Sequence, residues 1–436
     1  MLRKKIYLAL VSDRIERFFM RGALYHCVTT REEIQTHQIE KFNRIWKDAY
    51  TNLPFYKKWK EEHGLPDTIT IVGELFKWPI ITKKMLQFDP GALIRKDSSH
   101  FGTMMTGGST GEPLRLRTWK DNETGVSQWL GRAGYGVTAC ERTFLLWGHT
   151  HLYGKGLKRH INMARRRILD YFSNYDRHSA FDLSKPAMQA ALVRYNKCKP
   201  HFVIGYSSAI LALCRINRLL GNKAIIPPQA VLCTASSLTS LEKTEISDFF
   251  SAPVCMEYGS MECAVMAHTI PQTGEYRVFW DTHLLQGQKD ELGEVRNIVT
   301  RLESCYVPFI RYDLGDYLEL SNTEPLDSIH NIQTIKGRTS EVIALKNGVS
   351  FFCSIIGHCV KQIPFLVSWQ LFVFESELRI DVVGDGVLSE DDKRLILSRL
   401  HAVVKGSDAC HVQVRQVGHL YVTQAGKTPL VVRGQK

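Results

Sequence analysis

The sequence predicts a two-part α/β protein: a large N-terminal domain layered from helices and mostly parallel sheets, then a small α+β domain. Three observations carry this expectation. The chain has 436 residues, more than the roughly 250–300 at which a single core stops growing. Its middle alternates short apolar runs with helical patterns, as in sheets whose two faces are covered by helices. Its last stretch changes character, to a hairpin, a helix and one more strand.

Taken in order, the first part to about residue 100 reads as helical and basic, with a helix period around Ile34 to Tyr50 and a turn at "NLPFYKKW". From there to about residue 336, "ERTFLLWG", "PHFVIGY", "QAVLCTA" and "APVCMEYG" are apolar runs bounded by turn residues, which predicts buried strands. Helical patterns separate them, over Ser207 to Leu220 and Leu241 to Phe250. Near the end, "LVSWQLFVFESELRIDVVGD" reads as a hairpin, "EDDKRLILSRLHAVV" as a helix and "CHVQVRQV" as a strand. No internal repeat or low-complexity segment interrupts the pattern.

The apolar fraction of 44% and charged fraction of 23% are those of ordinary globular proteins. No apolar run approaches the roughly 20 residues of a membrane span. The N-terminal "MLRKKIYLALVSDRIERFF" starts basic, but its apolar stretch stops at Ser12 and Asp13, unlike a signal peptide. Eleven cysteines without a C-x-x-C pair suit free thiols in a reducing cytoplasm, where the protein is expected. The net charge of +12 is densest at Lys158, Arg159 and Arg165 to Arg167. Such charge serves nucleic acid, anionic membranes or anionic substrates. No nucleic-acid readout motif accompanies it, so no nucleic-acid partner is expected, while peripheral membrane contact stays open. Nothing in the sequence specifies an oligomeric state.

The most informative stretch is "MMTGGSTGEPLRLRT". Gly107, Gly108 and Gly111 allow close backbone approach, and Thr106, Ser109 and Thr110 add hydroxyls. Together they form a strip of N–H and O–H groups suited to polyphosphate oxygens. It is not a Walker A loop, because Glu112 and Pro113 follow Gly111. Further motifs follow in order. "EYGSMECA" places Glu262 just past a glycine turn; in "IRYDLGDY", Asp316 follows Gly315, where a carboxylate can accept both vicinal hydroxyls of a ribose. "IKGRTSEVI" puts Arg338 at the border of the C-terminal unit, and "VTQAGKTPLVV" presents Lys427 near the chain's end.

In this order the motifs resemble the adenylate-forming superfamily of acyl-CoA synthetases, luciferase and peptide-synthetase adenylation domains. The similarity is greatest to the phenylacetate–CoA ligase-like branch, of the type associated with capsule and exopolysaccharide gene clusters. "LPFYKKW", "WPIITK", "FSNYDRHSAFDLSK" and "KPHFVIGYSSAIL" also resemble that branch, so the likeness runs from about residue 40 to 433. The resemblance implies that a carboxylic acid and ATP form an acyl-adenylate, which is then transferred to CoA. It implies roles residue by residue. Thr106 to Gly111 would hold the β- and γ-phosphates, and Glu262 would bind Mg²⁺. Asp316, helped by Arg338, would take the ribose. Ala235, Ser236 and Ser237 match the adenine-binding turn, and Tyr258, ahead of Gly259, would stack on the base. Lys427 would bridge the carboxylate and the α-phosphate. It further implies a large domain over 1–338 and a mobile small domain over 339–436 that carries Lys427.

Three departures stand out. Met261 replaces the hydroxyl residue expected before Glu262, Ser340 replaces a hinge aspartate, and Ala235-Ser236 replaces Gly-Glu. The acyl pocket is expected along Trp147, His149, Tyr206 and Ser207. Transfer of the adenylate to an amine of an amino sugar or amino acid is an alternative to CoA. A nucleotide-binding scaffold without catalysis is another.

Overall fold

The computed structural model describes residues 2–97, 102–105, 114–119, 123–138, 140–147, 156–180, 182–291, 293–338, 342–344, 350–360, 363, 365–374, 377–404, 411–421 and 429–433. The 106–111 loop, His149, Ser340 and Lys427 lie outside these residues, and Arg338 is described in its backbone only.

The first part is helical, as its periodicity predicts: Leu2–Leu10, Ser12–Cys27, Arg31–Asn52 and Pro54–His63. The third of these starts at a capping box. Thr30 Oγ1 accepts from the Glu33 N–H at 3.2 Å, and the Glu33 carboxylate accepts from the Thr30 N–H at 3.0 Å, satisfying donors that a helix start leaves open. Its inner face presents Ile34, Gln38, Phe42, Ile45, Trp46 and Ala49, the spacing of one helical stripe. Trp46 is fully buried and meets Trp59 and Trp78 edge to face. The helix Ser12–Cys27 is tied to the core by charge. The Arg21 guanidinium donates to both carboxylate oxygens of Asp281, at 2.6 and 2.9 Å, and Tyr25 adds a hydroxyl at 2.8 Å. Burial alone would raise the Asp281 carboxyl, but Arg21 and Lys41 outweigh it and hold the carboxyl below its ordinary range.

Among the described residues the central sheet has eight strands. Tyr175–Ser179, Thr143–Trp147, Phe202–Tyr206, Ala230–Thr234 and Val254–Ser260 lie side by side and parallel in that order. Four of them are the apolar runs singled out in the sequence. Phe202–Tyr206 and Ala230–Thr234 are buried along almost their whole length, because helices such as Ser207–Leu219 and Ser240–Phe250 occupy the crossovers between them. After Val254–Ser260 the pairing turns antiparallel through Ala264–Thr269, Tyr276–Val278 and Asn331–Ile332. The connections from Val254–Ser260 to Ala264–Thr269 and from there to Tyr276–Val278 are too short for crossover helices. A second sheet, His283–Lys289, Val295–Arg301, Tyr312–Glu319 and Thr334–Arg338, is antiparallel throughout.

The C-terminal residues pair as read: Leu366–Val373 with Glu377–Gly384 as a hairpin, flanked in parallel by Val431–Arg433 and His411–Gln416. Together with the helix Glu390–Val403 they enclose an apolar cluster of their own, including Ile380, Val382, Ile396 and Leu400. Among the described residues, Val367 of this unit is buried in the larger body's apolar cluster, and two polar contacts join the two. Arg215 donates to the Val367 carbonyl at 3.2 Å, and Lys185 pairs with Asp385 at 3.1 Å.

Because Asp281 is almost completely buried, Arg21→Ala strands an unpaired charge. This variant is expected to lose about 3–5 kcal/mol of stability, read as a lower denaturant midpoint.

Candidate active site

The carboxyl ends of parallel strands face a crevice where open α/β sheets bind ligands. Four of them carry residues expected at the site. Trp147 ends Thr143–Trp147, and Tyr206 ends the adjacent Phe202–Tyr206, so their rings meet at 4.8 Å between centroids. Ala230–Thr234 runs into the Ala235, Ser236 and Ser237 turn, which is exposed. Val254–Ser260 delivers Tyr258, Gly259 and then Glu262.

The Ala235 turn is held in an unusual state. Ala235 has φ +74°, a left-handed conformation that costs a residue with a Cβ roughly 1–2 kcal/mol. Such strain persists where the surroundings over-determine it. Here Ser207 Oγ lies 3.0 Å from the Thr234 carbonyl and 2.7 Å from the Ser236 carbonyl, the two that flank Ala235. Ser207, expected along the acyl pocket, is itself fully buried. Its hydroxyl serves the turn.

Tyr258 links this crevice to the second sheet. Its hydroxyl donates to Asp316 Oδ2 at 2.7 Å and accepts from Asn297 Nδ2 at 2.8 Å. Asp316 in turn stands opposite Arg338 in the strand ladder. Asp316 and Arg338, expected at the nucleotide site, thus fall on paired strands, and Tyr258 reaches Asp316 from the other sheet. Asn297 carries no motif, and nothing in the sequence marks it. Its Oδ1 is buried with no hydrogen-bond partner among the described residues, which leaves an acceptor beside the Tyr258–Asp316 pair. Beneath Tyr258, Glu257 receives a two-pronged bond from Arg132 at 2.6 and 3.1 Å. This buried carboxylate is neutralised from a helix 125 residues away, another partner that no sequence pattern reveals.

Glu262 sits half-buried on the turn between Val254–Ser260 and Ala264–Thr269. Met261 beside it is exposed. Ser260 Oγ accepts from the Cys263 N–H at 2.9 Å, so its hydroxyl proton still has a direction in which to donate. The Cys263 carbonyl accepts from His283 Nε2 at 2.6 Å, and the Thr282 hydroxyl lies 2.9 Å from His283 Nδ1. A carbonyl can only accept, so Nε2 carries the proton and Nδ1 accepts from Thr282. Burial, reinforced by nearby Arg301, pushes this imidazole down to about 3, and it is neutral. Among the described residues no group of three or more His, Cys, Asp or Glu side chains could cage a metal. Mg²⁺ needs no such cage, since one or two carboxylates plus substrate phosphates commonly hold it, and Glu262 suits that arrangement.

No protein-family model matches the chain. Protein CapK of Staphylococcus aureus is 25% identical over 328 residues, spanning 71% of this chain and 68% of that protein. Among solved structures, 2-hydroxyisobutyryl-CoA ligase in the postadenylation state with 2-HIB-AMP superposes with a TM-score of 0.70 at 14% identity, over 93% of this chain and 91% of that one. The same ligase in its thioesterification state gives 0.56 at 15% identity, over 94% and 91%. The anthranilate CoA ligase AuaEII with anthranoyl-AMP gives 0.55 at 12% identity, over 81% and 73%.

A Cβ at position 259 would stand 2.4 Å from the Ala264 carbonyl oxygen and 3.0 Å from Val265 Cα. Gly259→Ala therefore has to prise the hairpin apart, and a loss of about 1–3 kcal/mol is expected in thermal denaturation. His283 makes a second prediction. Its ordinary value is 6.5, so below that pH the unfolded chain binds a proton that the folded chain refuses. The stability is whole above about pH 6.5 and falls toward pH 3. In denaturant titrations over this window, His283→Asn should show a pH slope shallower by about 1.4 kcal/mol per unit.

Proposed function

We propose that this chain, which has the fold of the adenylate-forming CoA ligases, activates a carboxylic acid with ATP and passes the acyl group to the thiol of CoA. The observation that carries the reading is the Tyr258–Asp316 link at the mouth of the parallel sheet, with Arg338 across the ladder from Asp316. It joins a ring suited to stack on a base with a carboxylate suited to ribose hydroxyls. The Ala235 to Ser237 turn, held by Ser207, would line the edge of the adenine. Asn297 Oδ1 adds an acceptor on the same side.

In the first step an oxygen of the acid attacks the α-phosphorus, and the bond to pyrophosphate breaks. Two anions must approach, so fixed cations and donors have to offset their repulsion. The resemblance in sequence assigns that task to the Thr106 to Gly111 loop and to Lys427. Mg²⁺ held by Glu262 would supply charge neutralisation on the phosphates. In the second step the CoA sulfur attacks the acyl carbon, AMP leaves, and the thiol proton passes to solvent. The acid would rest against the Trp147–Tyr206 pair, an apolar aromatic wall. A small unit with its own core, joined to the rest among the described residues by two polar contacts and by Val367 buried in the larger apolar cluster, is compatible with a domain that swings between the two steps. The better superposition on the postadenylation form than on the thioesterification form fits the first of those positions.

ATP–pyrophosphate exchange against aryl, fatty and amino acids tests the reading. Exchange should depend on one class of acid and fall about 100- to 1000-fold in Lys427→Ala. Adding CoA to that acid should then release AMP and a thioester; an amide formed only with an amino sugar or amino acid would replace CoA as acceptor. ATP binding without exchange for any acid, persisting in Met261→Thr, would overturn the proposal.

A further inference from the structure

The helix Gly156–Ser173 is built inside out. Asp170 is turned inward, where Arg177 holds both its oxygens at 2.8 Å. The opposite side carries Ile161 at 57% exposure and Ile168 at 58%, and the flanking Leu169 at 47% and Tyr171 at 61% also meet solvent. Ile161, Ile168 and Leu169 are seven and eight residues apart and so share one helical face. A surface helix ordinarily shows the reverse, apolar toward the core and charged toward water. The helix Leu2–Leu10 packs beside it and exposes Ile6 and Leu10. On the next helix, Phe19 and Met20 are also exposed.

By sequence, the helices Leu2–Leu10 and Gly156–Ser173 are strongly basic. Within Leu2–Leu10 and Gly156–Ser173 there are eight lysines and arginines and a single acid, Asp170, which is already paired. Arg165, beside Ile161 and Ile168, and Arg167, toward the Asp170 flank, are exposed, and neither has an ion-pair partner among the described residues. Arg165 follows Ile161 by one turn. The nearest unpaired acids in sequence, Asp13 and Glu16, belong to the following helix, Ser12–Cys27.

We propose that this face is a docking surface for an anionic lipid bilayer, on which the protein lies peripherally. Ile161, Ile168 and Leu169 enter the boundary between headgroups and acyl chains, and Arg165 and Arg167 meet lipid phosphates. The charge decides the occupant. A second copy of the chain would face the same patch across a two-fold axis, arginine against arginine. Nucleic acid would use the arginines but leave the isoleucines in water. An anionic bilayer satisfies both. No helix among the described residues is long and apolar enough to cross a membrane, and this mode of contact requires none. The proposal is independent of the catalytic reading, because none of these residues lies at the crevice.

Sedimentation of the full chain with vesicles tests it, using phosphatidylcholine alone and phosphatidylcholine mixed with phosphatidylglycerol. Binding is expected to the mixed vesicles only and to weaken with salt. Ile161→Ser with Ile168→Ser should reduce affinity at least about tenfold. Arg165→Gln with Arg167→Gln should reduce it about 25-fold, near fivefold per charge, with a flatter salt dependence. Both variants should keep the wild-type circular dichroism and melting temperature. Equal binding to both vesicle types, binding to neither, or undiminished binding by the folded variants would overturn the proposal. So would a concentration-dependent dimer that Ile161→Ser with Ile168→Ser abolishes, which would give the face to a second copy.

Discussion

The Tyr258 hydroxyl is the constraint on which the candidate site depends. A buried phenol must find hydrogen-bond partners or lose stability. It finds two, Asp316 and Asn297, on neighbouring strands of a different sheet. That requirement constrains how the parallel sheet and the antiparallel sheet meet. The support extends below and beyond the ring. Glu257 is neutralised by Arg132 on one side of Tyr258, and Gly259 on the other lets the hairpin close against Ala264.

Around this seam, local peculiarities of the backbone are each held by a side chain from elsewhere. The left-handed Ala235 is gripped through its neighbouring carbonyls by Ser207. The Glu262 turn is gripped through Cys263 by a neutral histidine from another sheet. The first long helices are fastened by Arg21 to Asp281 and by an edge-to-face cluster around Trp46. The polar groups concerned are buried, and a buried group that fits only one partner in one position enforces geometry as well as stability. A site assembled from several loops can therefore be stiff without a single long rigid element crossing it. The helix Gly156–Ser173 differs, since Asp170 is paired inward while Ile161 and Ile168 are left outward.

Much of this was legible beforehand. "PHFVIGY" and "QAVLCTA" read as buried strands because continuous apolar runs between turn residues have few other uses, and both lie in the sheet's middle. Tyr258, Asp316 and Arg338 stand in motifs whose resemblance to a known family makes them candidates, and the structure links Tyr258 to Asp316. Asn297 and Arg132 were not legible. Each sits in an unremarked element, and its importance arises from a partner 39 or 125 residues away. Ser207 was noticed, but only its place at a strand end could be read, and the direction of its hydroxyl depends on a neighbouring turn.

The sequence by itself determined the order of elements and the change of character at the small C-terminal unit. These follow from periodicity and local turn chemistry, which act over a few residues. Tertiary structure alone decided that the sheet turns antiparallel after Val254–Ser260, that Tyr258 reaches Asp316, and that Ser207 props Ala235. Those outcomes depend on hydrogen bonds closing across long stretches of chain, whose partners are chosen by packing and burial. It also decided which way the faces of Gly156–Ser173 point. The pattern of an amphipathic helix is written in its sequence, but only its neighbours determine which side is left to water.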